Sequence, residues 1–121
     1  MTIHAIRFDL LPVAPEHDYP QPARLLAGNP QRTTWNHYTN ASGEVFAGMW
    51  SSEVGSWRIG MGEREDELFF VTVGRCRLVA DDGHTVECSA GQSLLIPAGF
   101  HGIFEVIEAM TKHYMIVERH R

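Results

Sequence analysis

The sequence predicts an all-β protein, either a sandwich or a small barrel, and three observations carry that expectation. From residue 44 onward the chain reads as short runs in which apolar and polar residues alternate, the period-2 mark of strands. Turn-forming glycines separate the runs, as at Asp82-Gly83 and Ala98-Gly99. No stretch there repeats its apolar residues at the helical period of about 3.6. Short strands at regular spacing with turn signals between them are the pattern of sandwiches and barrels.

Taken in order, Ile6, Phe8 and Leu10 alternate with Arg7 and Asp9, which predicts a short edge strand over 1–11. Five of the six prolines (Pro12, Pro15, Pro20, Pro22, Pro30) follow within the first quarter, where they exclude continuous helix or central strand. Residues 12–34 are therefore expected to be an irregular arm, with one helical turn near Ala23–Ala27. Strands are expected at 44–51, 55–61, 67–73, 75–80, 84–89, 92–96, 102–107 and 112–118. The organisation is an N-terminal edge strand and Pro-rich arm over 1–40, then a barrel over 41–121.

One hairpin can be registered residue by residue. A three-residue loop, Asp81-Asp82-Gly83 with the glycine left-handed, sets Leu78 against Val86, Arg77 against Glu87 and Cys76 against Cys88. That gives one apolar face and one charged face, whereas a two-residue loop would set Leu78 against Glu87. The two thiols then oppose each other. They are expected to be buried and reduced, with a regulatory disulfide as the alternative.

Composition bounds the function. The chain has 121 residues, enough for one domain, and 10 Lys+Arg against 15 Asp+Glu leave a formal charge of −5. A pI near 5.7 and the absence of a basic cluster argue against nucleic acid or an anionic membrane as partner. No run approaches the roughly 20 apolar residues that span a bilayer. Residues 1–11 lack a secretory pattern, so the cytoplasm is the expected location.

Two segments resemble the paired motifs of the cupin superfamily. Gly91, five residues, then Pro97-Ala98-Gly99 resembles the second motif, and Glu67, six residues, then Gly74 resembles the end of the first. The ordered set Gly48-Met49-Trp50, Gly55-Ser56-Trp57, Glu65-Asp66-Glu67, Gly74-Arg75, Asp82-Gly83, Pro97-Ala98-Gly99-Phe100 and Lys112-His113-Tyr114 is similar to the branch of ethanolamine-utilisation and ureidoglycine-aminohydrolase-type domains. The resemblance covers about residues 33–118. It implies a cupin double-stranded β-helix, a jelly-roll barrel.

A metal-binding cupin supplies two histidines ahead of the glutamate and one after the second motif. Here those positions fall on Met61 and Glu63, or on Gly60 and Gly62, and then on Gly102. His101 is one residue out of register, which on a strand turns a side chain to the other face. Only Glu67 remains, and one carboxylate does not hold a transition metal. No cofactor is expected; the substitute set for a divalent ion is Glu67, Glu63 and His37, or His113 in its place.

Glu67 opens a strand and shares a face with Phe69 and Val71, so it must either pair or be held toward its protonated form. It is the candidate acid/base. Glu65 and Asp66 beside it read as a solvated loop. Trp57, Met61, Glu63, Phe104, Lys112 and Tyr114 are the candidate ligand-binding residues, with Trp57, Trp50 and Phe104 either lining a cavity or filling the core. If Tyr114 faces inward, Lys112 shares its face near the barrel mouth, where it would neutralise Glu67 or bind a carboxylate; otherwise it guards a strand edge.

These readings converge on a small-molecule-binding cupin without the usual histidine-based metal centre. The expected form is a homodimer in which the arm crosses the neighbouring subunit's sheet edge. Two alternatives stay open. One is an enzyme (a hydrolase, isomerase or lyase) using Glu67, with or without a displaced metal. The other is a structural or assembly cupin with a filled barrel.

Overall fold

The structure, a computed structural model, describes residues 1–121. A single 3-10 turn at Phe8–Leu10 precedes nine antiparallel strands: β1 (Glu16–Asp18), β2 (Leu25–Ala27), β3 (Arg32–Thr39), β4 (Val45–Ser52), β5 (Gly55–Gly60), β6 (Glu65–Ala80), β7 (Thr85–Ser89), β8 (Ser93–Ile96) and β9 (His101–Glu118). No helix is long and apolar enough to cross a membrane.

Strands β6 and β9 pair along nearly their whole lengths, from Glu65 opposite Glu118 to Ala80 opposite Gly102. Each changes its outer partner halfway. The first half of β6 pairs with β8 and the second half with β7. The first half of β9 pairs with β5 and the second half with β4. Two sheets result, β1-β3-β4-β9-β6-β8 and β2-β5-β9-β6-β7, joined through the two long strands. This is a curled jelly roll, the barrel that the cupin resemblance implies.

The bend lies where the β6–β9 register slips, between Val71 and Cys76. Gly74 sits there with a φ of +81°, and a Cβ on it would lie 2.1 Å from the carbonyl oxygen of Ala109. The irregularity also switches which residues face inward. Phe69 and Val71 are buried before it, and Cys76 and Leu78 after it. Between the sheets these four pack with Cys88, Leu94, Ile96, Val106 and Met110.

The registered hairpin is observed: Cys76, Arg77 and Leu78 face Cys88, Glu87 and Val86, and Gly83 has a φ of +92°. Arg77 pairs with Glu87 at 2.6 Å on the outer face. Both cysteines are free and buried. Burial, then the neighbouring Cys88, pushes the Cys76 thiol up to about 12.

The N-terminal third differs from expectation. Residues 1–11 form no strand, because their alternation meets no partner strand; Arg7 instead pairs with Asp9 at 2.7 Å beside the 3-10 turn. Only Phe8 is half-buried there, stacked on His37 with centroids 4.4 Å apart. The segment 12–34 is less irregular than its prolines suggested. Leu25–Ala27 is strand, not a helical turn, because Leu25 pairs with Trp57 across β5. Arg32–Thr39 is a full strand that bonds β4, so the sheet extends well ahead of residue 41. The expected pairs of strands at 67–73 and 75–80, and at 102–107 and 112–118, are one bent strand each.

Replacing Gly74 by Ala adds a side chain at positive φ against a carbonyl that belongs to the partner strand. The expected cost is roughly 2–4 kcal/mol. Urea unfolding measures it, and a loss below about 0.5 kcal/mol would remove Gly74 as the hinge.

Candidate functional site

Glu67 enters the barrel because β6 places it on the same face as Phe69 and Val71, with Ile96 and Ile116 as lateral neighbours. Lys112 enters from β9, between Met110 and Tyr114 on the inward face, opposite Val71 on one side and Trp50 on the other. Trp57 and Phe104 face each other across β5 and β9. Glu67, Lys112, Trp57 and Phe104 line a cavity of about 890 Å³ between the sheets. That volume suits a small-molecule site.

At its centre the Lys112 ammonium donates to Glu67 Oε2 at 2.7 Å. Their side chains are only 5% and 13% exposed. The other sides of the ammonium meet aromatic rings: Phe69 at 4.2 Å, Trp50 at 4.5 Å and Phe104 at 5.1 Å from the centroids. Trp57 stacks on Phe104 at 5.2 Å and 12°. A carboxylate and three ring faces thus hold one cation inside the barrel.

Magnitudes show that stability alone does not call for this pair. Removing an ammonium or a carboxylate from water costs several kcal/mol each, even after relaxation. The ion pair offsets part of that, and each desolvated ring face adds roughly 1–2 kcal/mol. Apolar side chains of similar volume would fill the same space at no net loss. The pair's place beside a cavity therefore calls for a reason other than stability.

Around it, the Tyr114 hydroxyl donates to Asn36 Oδ1 at 2.8 Å. Burial, then the Glu67 carboxylate, pushes that phenol up to about 12. Arg32 lies over the Trp57 ring, 5.0 Å from its centroid, and donates to both Asp18 oxygens at 2.9 and 2.7 Å. The exposed side chains of Arg24 and Arg58 form part of the rim. Four basic and four acidic side chains line the cavity, so it is formally neutral in a chain that is negative overall.

Of the candidate residues, Glu67, Trp57, Met61, Phe104, Lys112 and Tyr114 all line this cavity. Lys112 lies deeper than expected, buried rather than at the mouth. Glu63 is exposed on the turn after Met61 and does not reach the cavity. His37 is on the far side of β3 against Phe8. Phe8 also stacks on His113, with centroids 5.9 Å apart, so that histidine too is outside the barrel. The substitute metal set is therefore not assembled, because alternating strand faces send its members to opposite sides.

The residues present do not fit a divalent cation. No group of three or more His, Cys, Asp or Glu side chains converges anywhere in the chain. Glu67 already faces an ammonium, Gly102 is the buried residue of its pair, and His101 is exposed.

The solvated-loop expectation for Glu65 and Asp66 needs correction. Glu65 shares the inward parity of Glu67, lines the cavity and is held toward its protonated form by burial, with Glu118 and Glu67 adding to the effect. Asp66 accepts from the Ala98 N–H at 2.7 Å and pairs with Arg119, which holds its carboxyl below the usual range. It ties the turn of the second motif to β6. Arg32 and Asp18 were not anticipated either, because they come from strands hidden in the arm.

Replacing Lys112 by Met strands a buried carboxylate, and stability should fall by about 3 kcal/mol. Changing Glu67 to Gln as well should restore most of it. Urea unfolding of the wild type, both single variants and the double variant checks this. A double variant no more stable than the weaker single variant would mean that the two groups are not coupled.

Comparison with known proteins agrees with this architecture. The chain overlays on the EutQ protein of Clostridium difficile with a TM-score of 0.65 and 22% identity, over 75% of this chain and 65% of that one. A protein of unknown function from Pseudomonas syringae pv. tomato gives a TM-score of 0.76 at 19% identity, over 89% of this chain and 45% of that one. Likeness at these identities speaks for the fold, and the chain spans about two-thirds and under half of the two lengths. No functionally curated protein matches. The sequence pattern of the EutQ-like cupin domain matches residues 39–114, more than half of the chain, and the chain belongs to that family.

Proposed function

We propose that this cupin binds a small organic molecule in its barrel, against the Trp57–Phe104 stack and beside the Lys112–Glu67 pair. The observation that carries the reading is the buried ion pair facing open space: a cavity of about 890 Å³ with a fixed cation and a carboxylate at its centre. Convergent polar groups beside an apolar surface, here the Trp57–Phe104 stack among four basic and four acidic side chains, suit a ligand that carries both polar and apolar parts. An assembly role with a filled barrel has no use for such a space.

Catalysis at Glu67 is the second reading, favoured by the company of its carboxylate. Glu65, a second carboxyl pushed up by burial, lines the same cavity. Carboxyl groups in unlike environments suit general acid/base work. Loss of turnover in Glu67→Gln with binding retained would mark the enzyme.

We further propose a homodimer in the cytoplasm, with Cys76 and Cys88 reduced. Ile3, Ile6, Leu10 and Leu11 are exposed on the N-terminal segment, and Leu68, Phe70, Leu95 and Met115 on the outer sheet face. Apolar surface of that extent is commonly covered by a partner.

Two measurements test these proposals. Trp50 and Trp57 both border the cavity, so screening small metabolites by tryptophan fluorescence should find saturable changes that Trp57→Ala removes; a complete absence of binders speaks against the binding reading. Light scattering should give about twice the 13.6 kDa chain mass. A monomer at high concentration removes the dimer.

A further inference from the structure

The geometry points to a small organic carboxylate as the ligand, anchored on Lys112 in competition with Glu67; this rests on the reading of the barrel as a binding cavity. An ammonium carries three N–H groups, and Lys112 gives one to Glu67 Oε2, its only hydrogen-bond partner in the protein. The rest of its surroundings are the ring faces of Phe69, Trp50 and Phe104, which stabilise positive charge but accept no conventional hydrogen bond. Two charge-assisted donors are left over in a desolvated site. A carboxylate oxygen is the ligand group that answers them best, since bonds between ionised partners are about twice as strong as neutral ones.

The remaining charges are balanced in number, so the spare donors of Lys112 decide the class. Arg32, over Trp57, is satisfied by Asp18. At the rim, Arg58 reaches Asp81 only at 3.7 Å and Arg24 makes no ion pair, so both remain available to draw an anion inward. Glu65 and Glu16 also line the cavity, and their carboxylates equal these two arginines in number. A cationic ligand would meet Lys112 itself at the centre of the aromatic cage. A neutral amide would use the same donors with weaker bonds. The Trp57–Phe104 stack gives the body of the ligand a flat apolar surface.

Glu67 and the ligand carboxylate would then share one ammonium. Removing the negative charge of Glu67 leaves Lys112 without its anion, so Glu67→Gln should bind carboxylates more tightly. A purely structural role for the pair would not produce that gain.

The experiment titrates wild-type protein with benzoate and acetate, their amides benzamide and acetamide, and benzylamine, read by tryptophan fluorescence and by ligand-observed NMR. The carboxylates should bind at least about tenfold tighter than the matched amides, and benzylamine more weakly than either. Lys112→Met should lose that preference, and Glu67→Gln should tighten carboxylate binding several-fold. The wild-type comparison needs no variant to fold. Amides or the amine binding as well as the carboxylates would overturn the inference while leaving the cavity-binding reading intact. No carboxylate binding, or weaker carboxylate binding in a folded Glu67→Gln, overturns it as well.

Discussion

The long pairing of β6 with β9 is the constraint from which the rest of the structure follows. Each strand is too long to lie in one flat layer, so the shared bend near Gly74 and Ala109 passes both from one sheet into the other. The bend creates the space between the layers. It also decides which side chains face that space, because the register slip exchanges odd for even positions on β6. Glu67 and Lys112 come from opposite members of this pair, four positions apart along the register, and their long side chains close the gap.

What the barrel encloses is an internal cation. Where related barrels gather imidazoles around a metal, this chain presents Met61, Gly102 and a carboxylate already engaged by Lys112. The positive charge is covalently part of β9 and needs no coordination sphere. It is held by one oxygen and three ring faces, an arrangement that fixes its place while leaving donors unspent. The lining is otherwise balanced in charge, which sets it apart from the acidic exterior.

Much of the barrel is legible in the sequence because its strands obey period-2 alternation and its turns use glycine where φ is positive. The Cys76–Cys88 register follows from loop length and face matching, and the cavity lining by Trp57, Phe104, Lys112 and Tyr114 follows from parity along β5 and β9. The arm resisted the same treatment. Its prolines mask three strands, and Thr33, Thr34, Trp35 and Tyr38 were the β-forming residues that betray the longest of them. Glu65 belongs to an acidic run that reads as solvated, and only its parity with Glu67 points it inward.

By itself, then, the chain determined an all-β barrel, an inward Glu67 and the lack of histidines in register for a metal, since each depends only on local alternation and spacing. Tertiary structure alone decided that 67–80 and 102–118 are single bent strands, that residues 16–39 join the sheet, and that Glu63 and His37 stay apart from Glu67. The physical reason is that strand identity is local whereas strand pairing is not. Which long strand lies beside which, and where the pair bends, depends on contacts between residues far apart in sequence. Those contacts brought a lysine from the last strand onto a glutamate 45 residues earlier.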